Sequence, residues 1–252
     1  MKQDIVIQGP KGRISAIINK PELKPGEKCP MAVLMHGFMG NRKLEPLKTL
    51  AKELEAIGIA SLRFDFDGHG KSDGKFCEMS VGTELADAQA VYDYAASLDY
   101  VSKIAFVGHS QGGVVAGMTA GKLGSSKITC LVQLSAAAVL KDDALNGVLM
   151  GKHYDPKNPP EHLWVFLHKV GRCYFEFAQK VEIYETSAAY DGPVCLIHGK
   201  DDTIVPYSYS ERYHETYRDS ELHLLDGENH ILSKRRPEVM KMTVDFLKKH
   251  LL

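Results

Sequence analysis

The stretch KIAFVGHSQGGVVAGMTAGKL, residues 103–123, joins a short apolar run to a segment of helical composition through a glycine-rich turn. GHSQG, residues 108–112, is a G-x-S-x-G pattern at the centre of this turn. The pattern alone is weak, because an ordinary strand-to-helix turn rich in glycine would also contain it. Its context strengthens it, since a strand before and a helix after are what a sharp turn needs to expose a serine hydroxyl. The sequence therefore predicts that Ser110 is a catalytic nucleophile.

Strand-like and helix-like segments alternate on both sides of this stretch. A hairpin of two β-branched runs is predicted over residues 3–19, and a strand buried on both faces follows at 31–37. Further strands are predicted at 59–64, 103–108, 128–135, 194–199 and 221–227, and helices near 43–57, 82–97, 111–122, 206–218 and 235–250. This alternation predicts an α/β fold with a doubly wound, mostly parallel sheet.

The alternation stops after Ser135 and resumes near residue 191. The segment 136–190 contains 8 aromatic residues and a proline-broken polar stretch, so it departs from the pattern of the rest of the chain. We interpret it as a lid subdomain inserted between the sixth and seventh strands, covering a ligand cleft. Residues 1–135 and 191–252 then form the core. The alternative is a structural excursion with a small core of its own.

A serine hydroxyl becomes a good nucleophile only when a base takes its proton, so a carboxylate and then a histidine are expected later in the chain. Asp201 and Asp202 follow the predicted strand at 194–199, and His230 follows the last strand. We predict that His230 is the base and that Asp202 orients it. Asp201 is the rival acid, but the loop closes with Val-Pro in a way that favours Asp202.

The tetrahedral intermediate of acyl transfer needs N–H donors for its oxyanion. The residue after the nucleophile, Gln111, supplies one backbone N–H in this arrangement. The loop HGFMG, residues 36–40, follows the third strand, and Phe38 is the best-placed second donor. The alternative is that Gly37 and Gly40 only make a turn, which is compatible with the first interpretation.

Composition excludes several classes of protein. The formal net charge is -1 and no block of like charge is present, so a nucleic-acid partner is not expected. The five cysteines are scattered without a C-x-x-C pair, which predicts neither a disulfide framework nor a zinc cage. No secretory leader or membrane-spanning run is visible, so we predict a cytoplasmic protein whose partner is a small molecule. A homodimer stays open.

Together, the motifs resemble the α/β-hydrolase superfamily, and the resemblance covers the chain outside the insert. They occur in the order of that superfamily: HGFMG (36–40), RFDFDGHGKSDG (63–74), GHSQGG (108–113), HGKDDTIVP (198–206) and GENH (227–230). The resemblance implies the α/β-hydrolase fold and a serine hydrolase that needs neither metal nor organic cofactor. It does not choose the substrate, because this fold serves many chemistries.

The insert and the segment that follows it resemble the bacterial cinnamoyl (feruloyl) esterases. The similar stretches are LKDDALNG (140–147), RCYFEFAQKVEIYETSA (172–188) and GPVCLIHGKDDTIVP (192–206). The resemblance implies hydrolysis of hydroxycinnamoyl esters by an intracellular enzyme. It also implies that a lid Asp and a lid Tyr, matching Asp143 and Tyr174, bind the ring hydroxyl of the acyl group. Met150 departs from the family pattern, because an apolar residue stands where a polar one is expected in some relatives.

Four other functions are compatible with the same motifs. A general short-chain acyl esterase or monoglyceride lipase is the main alternative, although its lid would be evenly apolar and Asp143 argues against that. An acyltransferase would use the same three residues, and a peptidase would be expected to carry an additional gating domain. A ligand receptor without turnover would typically lack one of Ser110, Asp202 and His230, and all three are present.

Overall fold

The computed structural model describes all 252 residues and contains twelve strands. They are β1 (Lys2–Gln8), β2 (Arg13–Asn19), β3 (Cys29–Met35), β4 (Ala60–Phe64), β5 (Val101–His109), β6 (Cys130–Leu134), β7 (Val148–Leu149), β8 (Lys152–His153), β9 (His162–Val165), β10 (His168–Gly171), β11 (Val194–Gly199) and β12 (Ser220–Leu225). Eight of them form one sheet in the order β1-β2-β4-β3-β5-β6-β11-β12. The other four form two small hairpins inside the insert.

Eight α-helices and one short 3₁₀ helix complete the fold. The α-helices are α1 (Leu47–Ala56), α2 (Val81–Ser97), α3 (Gln111–Leu123), α4 (Val139–Leu145), α5 (Arg172–Ala178), α6 (Ile183–Ser187), α7 (Ser208–Thr216) and α8 (Arg236–Leu251), and the 3₁₀ helix spans Phe76–Glu78. Helix α1 begins four residues later than the sequence predicts. Pro46 precedes it, and a proline disfavours helical backbone in the residue before it.

The large sheet is parallel except at one edge. β1 pairs with β2, and β2 with β4, in antiparallel register, whereas β4, β3, β5, β6, β11 and β12 run parallel to one another. Every residue of β3, β4, β6 and β11 is buried, as expected for parallel strands covered on both faces. Two apolar clusters of 39 and 21 buried residues form the larger cores. The predicted doubly wound, mostly parallel sheet is confirmed, and so is the opening hairpin.

The parallel strands bring the predicted site to one edge of the sheet. The loops after β3, β5, β11 and β12 leave the carboxyl ends of strands that run in the same direction. In open α/β sheets, ligands bind at this edge. The four loops carry Phe38, Ser110, Asp202 and His230.

The insert, residues 136–190, lies between the sixth and seventh strands of the large sheet. It contains α4, the hairpins β7–β8 and β9–β10, α5 and α6. Its apolar side chains form a third, smaller cluster with Met79 of the core: Leu149, Val165, Val170, Tyr174 and Phe175. The insert therefore has a small core that is shared with the rest of the fold.

All five cysteines are free thiols. Cys29, Cys130 and Cys195 are buried within strands, where they act as apolar packing residues. No helix is long and apolar enough to cross a bilayer.

Candidate active site

Ser110 occupies a strained turn between the end of β5 and the start of α3. Its backbone has φ +58° and ψ -125°, a combination that L-residues rarely adopt. The neighbouring glycines make room for this turn, because a Cβ on Gly112 would clash with the carbonyl oxygens of Met35 and His36. A Cβ on Gly37 would lie 2.8 Å from the Cβ of Ser110. The sequence context therefore predicted the strand-turn-helix geometry correctly.

His230 links Ser110 to Asp202. The His230 Nε2 atom lies 2.9 Å from the Ser110 Oγ, and the Nδ1 atom lies 2.7 Å from the Asp202 Oδ2. Because Nδ1 faces a carboxylate, it carries the proton, and Nε2 is left to accept the serine proton. The structure thus brings together the three side chains that the sequence predicts as nucleophile, base and acid.

Asp202 is buried and fully engaged in hydrogen bonds. Its Oδ1 accepts the backbone N–H groups of Ile204 and Val205 at 2.9 and 2.8 Å, and its Oδ2 faces both His230 and His198. Burial alone would raise the pKa of Asp202, but the hydrogen bonds from His198 and His230 outweigh it and hold the pKa well below its usual range. Asp202 is therefore ionised where it meets His230.

Asp201, the rival acid, points away from this site. Its side chain is exposed and lies 4.0 Å from the Lys234 ammonium. The Asp201 backbone N–H donates to the carbonyl oxygen of Glu228, which fixes the loop. Only Asp202 contacts His230.

His198 is a further member of this network, and no sequence motif marks it as a site residue. Its Nε2 lies 3.0 Å from both the Asp202 Oδ2 and the Val205 carbonyl oxygen, so this nitrogen donates. Its Nδ1 pairs with the Ser210 hydroxyl at 2.7 Å. The only available signal was a histidine at the end of an otherwise apolar strand, directly before the loop that carries the acid.

The predicted oxyanion donors, Phe38 and Gln111, line one cavity together with Ser110. The Phe38 backbone N–H has no acceptor within the protein. Gln111 is the first residue of α3, and the first N–H groups of a helix have no acceptor inside it. The loop is held by His36, whose Nδ1 bonds the Gly37 carbonyl oxygen at 2.8 Å and whose Nε2 accepts the Phe66 N–H. Burial lowers the pKa of His36 to about 4, so this ring is neutral.

Two cavities meet at Ser110. The first, which we name the His230 cavity, has a volume of about 250 Å³ and is lined by His36, Gly37, Phe38, Met39, Gly40, Leu44, Glu45, Leu47, His109, Ser110, Met150, Ile204, His230 and Ile231. The second, the Tyr174 cavity, has a volume of about 290 Å³ and is lined by Phe38, Ser110, Gln111, Ala137, Val139, Leu140, Asp143, Leu149, Met150, Gly151, Tyr174, Thr203, Ile204 and Val205. An ester with its carbonyl carbon at Ser110 could therefore extend to both sides.

Asp143 and Tyr174, the two residues that the resemblance assigns to the ring hydroxyl, both line the Tyr174 cavity. Asp143 is half-buried and makes no hydrogen bond within the protein, and burial, followed by the nearby Asp142, raises its pKa. Tyr174 is buried, and its hydroxyl donates to the Gln111 Oε1 at 2.9 Å. Met150 contributes an apolar side chain to the lining of both cavities.

One group of side chains has the spacing of a metal site, and it lies away from Ser110. The ligand atoms of Cys195, Glu221 and His223 fall within 4.8 Å of one another, on β11 and β12. Cys195 belongs to the amino-terminal half of β11, whereas the loops of the site leave its carboxyl end. Burial raises the pKa of the Cys195 thiol, which disfavours the thiolate that binds metals.

The profile of a family described as serine aminopeptidase, S33, matches residues 26–155 of the chain. The chain belongs to this family of the α/β-hydrolase superfamily. A human protein named ABHD12B is 27% identical over 87% of the chain, and a mouse protein named palmitoyl-protein thioesterase ABHD10, mitochondrial, is 26% identical over 73%. These alignments span 61% and 62% of the two relatives, so the chain covers about six tenths of their length.

A solved structure, Est1E from Butyrivibrio proteoclasticus with ferulic acid bound, is similar over almost the whole chain. It is 32% identical, has a TM-score of 0.93, and the match covers 98% of each chain. The mouse ABHD10 structure matches with a TM-score of 0.76 at 18% identity, a level that supports the fold alone. The fold and the family are therefore shown, and they place the chain among hydrolases.

Proposed function

We propose that this protein is a serine carboxylesterase that hydrolyses hydroxycinnamoyl esters of the ferulate, caffeate and p-coumarate type. The observation that carries the proposal is the Tyr174 cavity, in which Ser110 shares the wall with Asp143 and Tyr174. A nucleophile, a carboxyl and a phenol in one cavity match an acyl group that carries a polar aromatic ring. The similarity to Est1E, whose structure contains ferulic acid, supports this substrate class.

Acylation begins at Ser110. His230 Nε2 takes the proton from the Ser110 Oγ as that oxygen attacks the ester carbonyl carbon, and the carbonyl oxygen becomes the oxyanion. The backbone N–H groups of Phe38 and Gln111 bind the oxyanion. When the tetrahedral intermediate collapses, the bond to the alcohol oxygen breaks and the His230 proton passes to the leaving alcohol.

Deacylation repeats these steps with water. His230 takes a proton from the water molecule as it attacks the acyl-enzyme, and the same N–H groups bind the second oxyanion. The Ser110–acyl bond then breaks and the proton returns to the Ser110 Oγ. Asp202 stays ionised throughout, holds the proton of His230 on Nδ1, and stabilises the imidazolium that forms in both halves of the cycle.

The insert is proposed to act as a lid that supplies the acyl-binding wall. Leu140, Asp143, Leu149, Met150 and Tyr174 of residues 136–190 line the Tyr174 cavity, so an acyl group in this cavity would contact the insert as well as the core. In this view residues 1–135 and 191–252 supply the chemistry. The cytoplasmic location stays a prediction from the sequence.

A panel of esters tests the proposal. We expect methyl ferulate, methyl p-coumarate and methyl caffeate to be hydrolysed with a higher kcat/KM than 4-nitrophenyl butyrate and methyl esters of long saturated acids. Ser110→Ala is the control for hydrolysis at this site. Higher kcat/KM for saturated acyl chains than for every hydroxycinnamate would overturn the substrate assignment.

A general acyl-chain esterase or monoglyceride lipase is the second candidate. The names of the curated relatives favour it, since they include a palmitoyl-protein thioesterase and a lysophosphatidylserine lipase. The largely apolar His230 cavity would suit an alkyl group, with Leu44, Leu47 and Ile231 in its wall. A monoacylglycerol and a palmitoyl thioester, added to the same panel, distinguish the two candidates.

A further inference from the structure

Glu84 is a buried acid that the proposed mechanism does not use. It lies in the first turns of α2, is 1% exposed, and has no cation within ion-pairing distance. Its Oε1 makes no hydrogen bond, and its Oε2 accepts the side-chain N–H of Gln111 at 2.8 Å. Burying a carboxyl group with an unpaired oxygen is unfavourable, and Gln111 is the one hydrogen-bond partner that offsets this cost.

The contact with Glu84 determines which way the Gln111 amide faces. An amide offers two N–H donors at Nε2 and an acceptor at Oε1, and a carboxylate can only accept. Nε2 therefore faces Glu84, and Oε1 faces Tyr174. A protonated Glu84 can instead donate its own hydrogen to the Gln111 Oε1, so only the ionised carboxylate fixes the amide in this orientation.

The orientation of Gln111 in turn determines what Tyr174 can offer a ligand. A tyrosine hydroxyl has one hydrogen, and Tyr174 donates it to the Gln111 Oε1 at 2.9 Å. Only lone pairs of the Tyr174 oxygen then remain for the Tyr174 cavity. Asp143, which lines the same cavity and makes no hydrogen bond within the protein, is also an acceptor when ionised.

We propose that Glu84 is a specificity-determining positioning residue: through Gln111 it makes Tyr174 an acceptor, so that the cavity selects acyl groups with a hydrogen-bond donor. The inference rests on the proposed function, because it concerns the acyl group of the substrate. On this proposal, the Tyr174 cavity selects a free ring hydroxyl over the corresponding methyl ether. Glu84 does not touch the substrate and acts only through Gln111 and Tyr174.

The test measures selectivity rather than activity. It is run at pH 8.5, above the pKa of about 8 that burial gives Glu84, and any ionisation of the substrate phenol is common to all variants compared. The substrates are three methyl cinnamates with a 4-hydroxy, a 4-methyl or a 4-methoxy group, which offer a donor, no polar group and only an acceptor. The wild-type enzyme is expected to prefer the 4-hydroxy ester over the other two by about tenfold or more, because a site built for a donor is left unpaired by the analogues. The 4-methyl ester controls for size.

Glu84→Gln keeps the shape of the side chain but supplies a donor as well as an acceptor. Gln111 can then reverse its amide, accept from Gln at position 84 and donate to Tyr174, so that Tyr174 can donate into the cavity. We expect the kcat/KM ratio of the 4-hydroxy to the 4-methoxy ester to fall by about fivefold or more, with a gain for the 4-methoxy ester. In the Tyr174→Phe background the same substitution should leave the ratio unchanged.

Asp87→Asn is the matched control. Asp87 is also buried on α2, but its carboxylate accepts the backbone N–H of Asp67 and does not contact Gln111. It should leave the ratio as it is. Equal changes for all three esters in Glu84→Gln would mean a purely structural role and would overturn the inference.

Different results would contradict the proposed function and the proposed role of Glu84. Hydrolysis of 4-nitrophenyl acetate together with equal kcat/KM for the three cinnamates overturns the role of Glu84 and leaves the hydrolase in place. Absence of hydrolysis of every ester by the folded wild-type protein overturns the proposed function itself.

Discussion

The carboxylate of Asp202, in its loop of the core, and that of Asp143, in the cavity wall of the insert, differ in their hydrogen bonding. Asp202 receives two backbone N–H groups and two histidine side chains, whereas Asp143 makes no hydrogen bond within the protein. A carboxylate whose two oxygens both accept hydrogen bonds from the protein is held in one geometry. A carboxylate without such bonds is free to bind a ligand. Under the proposed function, this difference corresponds to a core that fixes the chemistry and an insert that determines which acyl group is bound.

The surroundings of the two regions fit this division. The loops with Asp202 and His230 extend from β11 and β12 of the large sheet, so rigid strands hold them. The insert is built from short helices and two hairpins, and the tip of its β9–β10 hairpin exposes Trp164, Phe166 and Leu167 by 62%, 72% and 90%. Under the proposed function, substitutions in the insert would change the acyl-binding wall without moving Ser110, Asp202 and His230.

Ser110→Ala gives the largest expected effect and tests the core side of the comparison. We expect kcat on 4-nitrophenyl acetate to fall by about 10⁴ or more, because no other group can form the acyl-enzyme. The free energy of unfolding should fall little, since the hydroxyl contributes one hydrogen bond in a strained turn. The measurement is steady-state kinetics combined with chemical denaturation. A tenth of the wild-type kcat in this variant would contradict the assignment.

Asp202→Asn and Asp201→Asn separate the two candidate acids. An amide at position 202 would no longer hold the proton of His230 on Nδ1, so kcat should fall by about 10³ to 10⁴. Asp201→Asn should keep kcat within about twofold, because its exposed side chain does not contact His230. Steady-state kinetics of the two variants on one acetate ester is sufficient. Similar losses in both would show that the acid lies elsewhere.

The core side of the comparison was largely predictable from the sequence, because its signals are local. A buried strand, a glycine-rich turn and a helix predicted the setting of Ser110, and chain order predicted Asp202 and His230. Because the strands before these loops run parallel, their carboxyl ends lie at one edge of the sheet and bring Ser110, Asp202 and His230 together. No geometric assumption beyond that topology was needed.

The partners behind the site were not predictable in the same way. Glu84 lies 27 residues before Gln111 in the chain and meets it only because α2 packs beside α3. His198 lies near the end of the predicted apolar strand 194–199, and nothing in its spacing indicates that it pairs with Asp202. The contents of the insert were also not predicted, since its short helices and hairpins give no sustained hydrophobic period.

Asp143→Ala and Tyr174→Phe test the insert side of the comparison with a smaller expected effect. Each removes one hydrogen-bonding group from the Tyr174 cavity, which should lower kcat/KM for ferulate and caffeate esters by about 1 to 3 kcal/mol, or about 5- to 150-fold. Acetate and butyrate esters have no ring hydroxyl to bind Asp143 or Tyr174, so their kcat/KM should change little. Parallel losses on both classes of ester, in proportion to lost stability, would retire the hydroxyl-binding role.

The last prediction concerns stability and gives two buried carboxyl groups, Asp202 and Glu84, opposite responses to pH. Hydrogen bonds to His198 and His230 hold the pKa of Asp202 below its usual range despite burial, so its stabilising contribution is present at neutral pH and is lost as the pH falls below about 4. Burial raises the pKa of Glu84 from 4.5 to about 8. Between these values the folded protein binds a proton that the unfolded chain has released, so this contribution falls as the pH rises.

Chemical denaturation of the wild-type protein and Glu84→Gln between pH 5 and pH 8 measures the Glu84 contribution directly. Groups common to both proteins, including the buried histidines, cancel in the difference between the two free energies of unfolding. We expect the stability of the wild-type protein relative to Glu84→Gln to decrease steadily across this range, because only the wild-type protein must ionise a buried carboxyl as the pH rises. A difference independent of pH would mean that Glu84 titrates as an ordinary glutamate, with its carboxyl already ionised at pH 5. In that event the buried carboxylate would need a compensating donor that the contact with Gln111 alone does not supply.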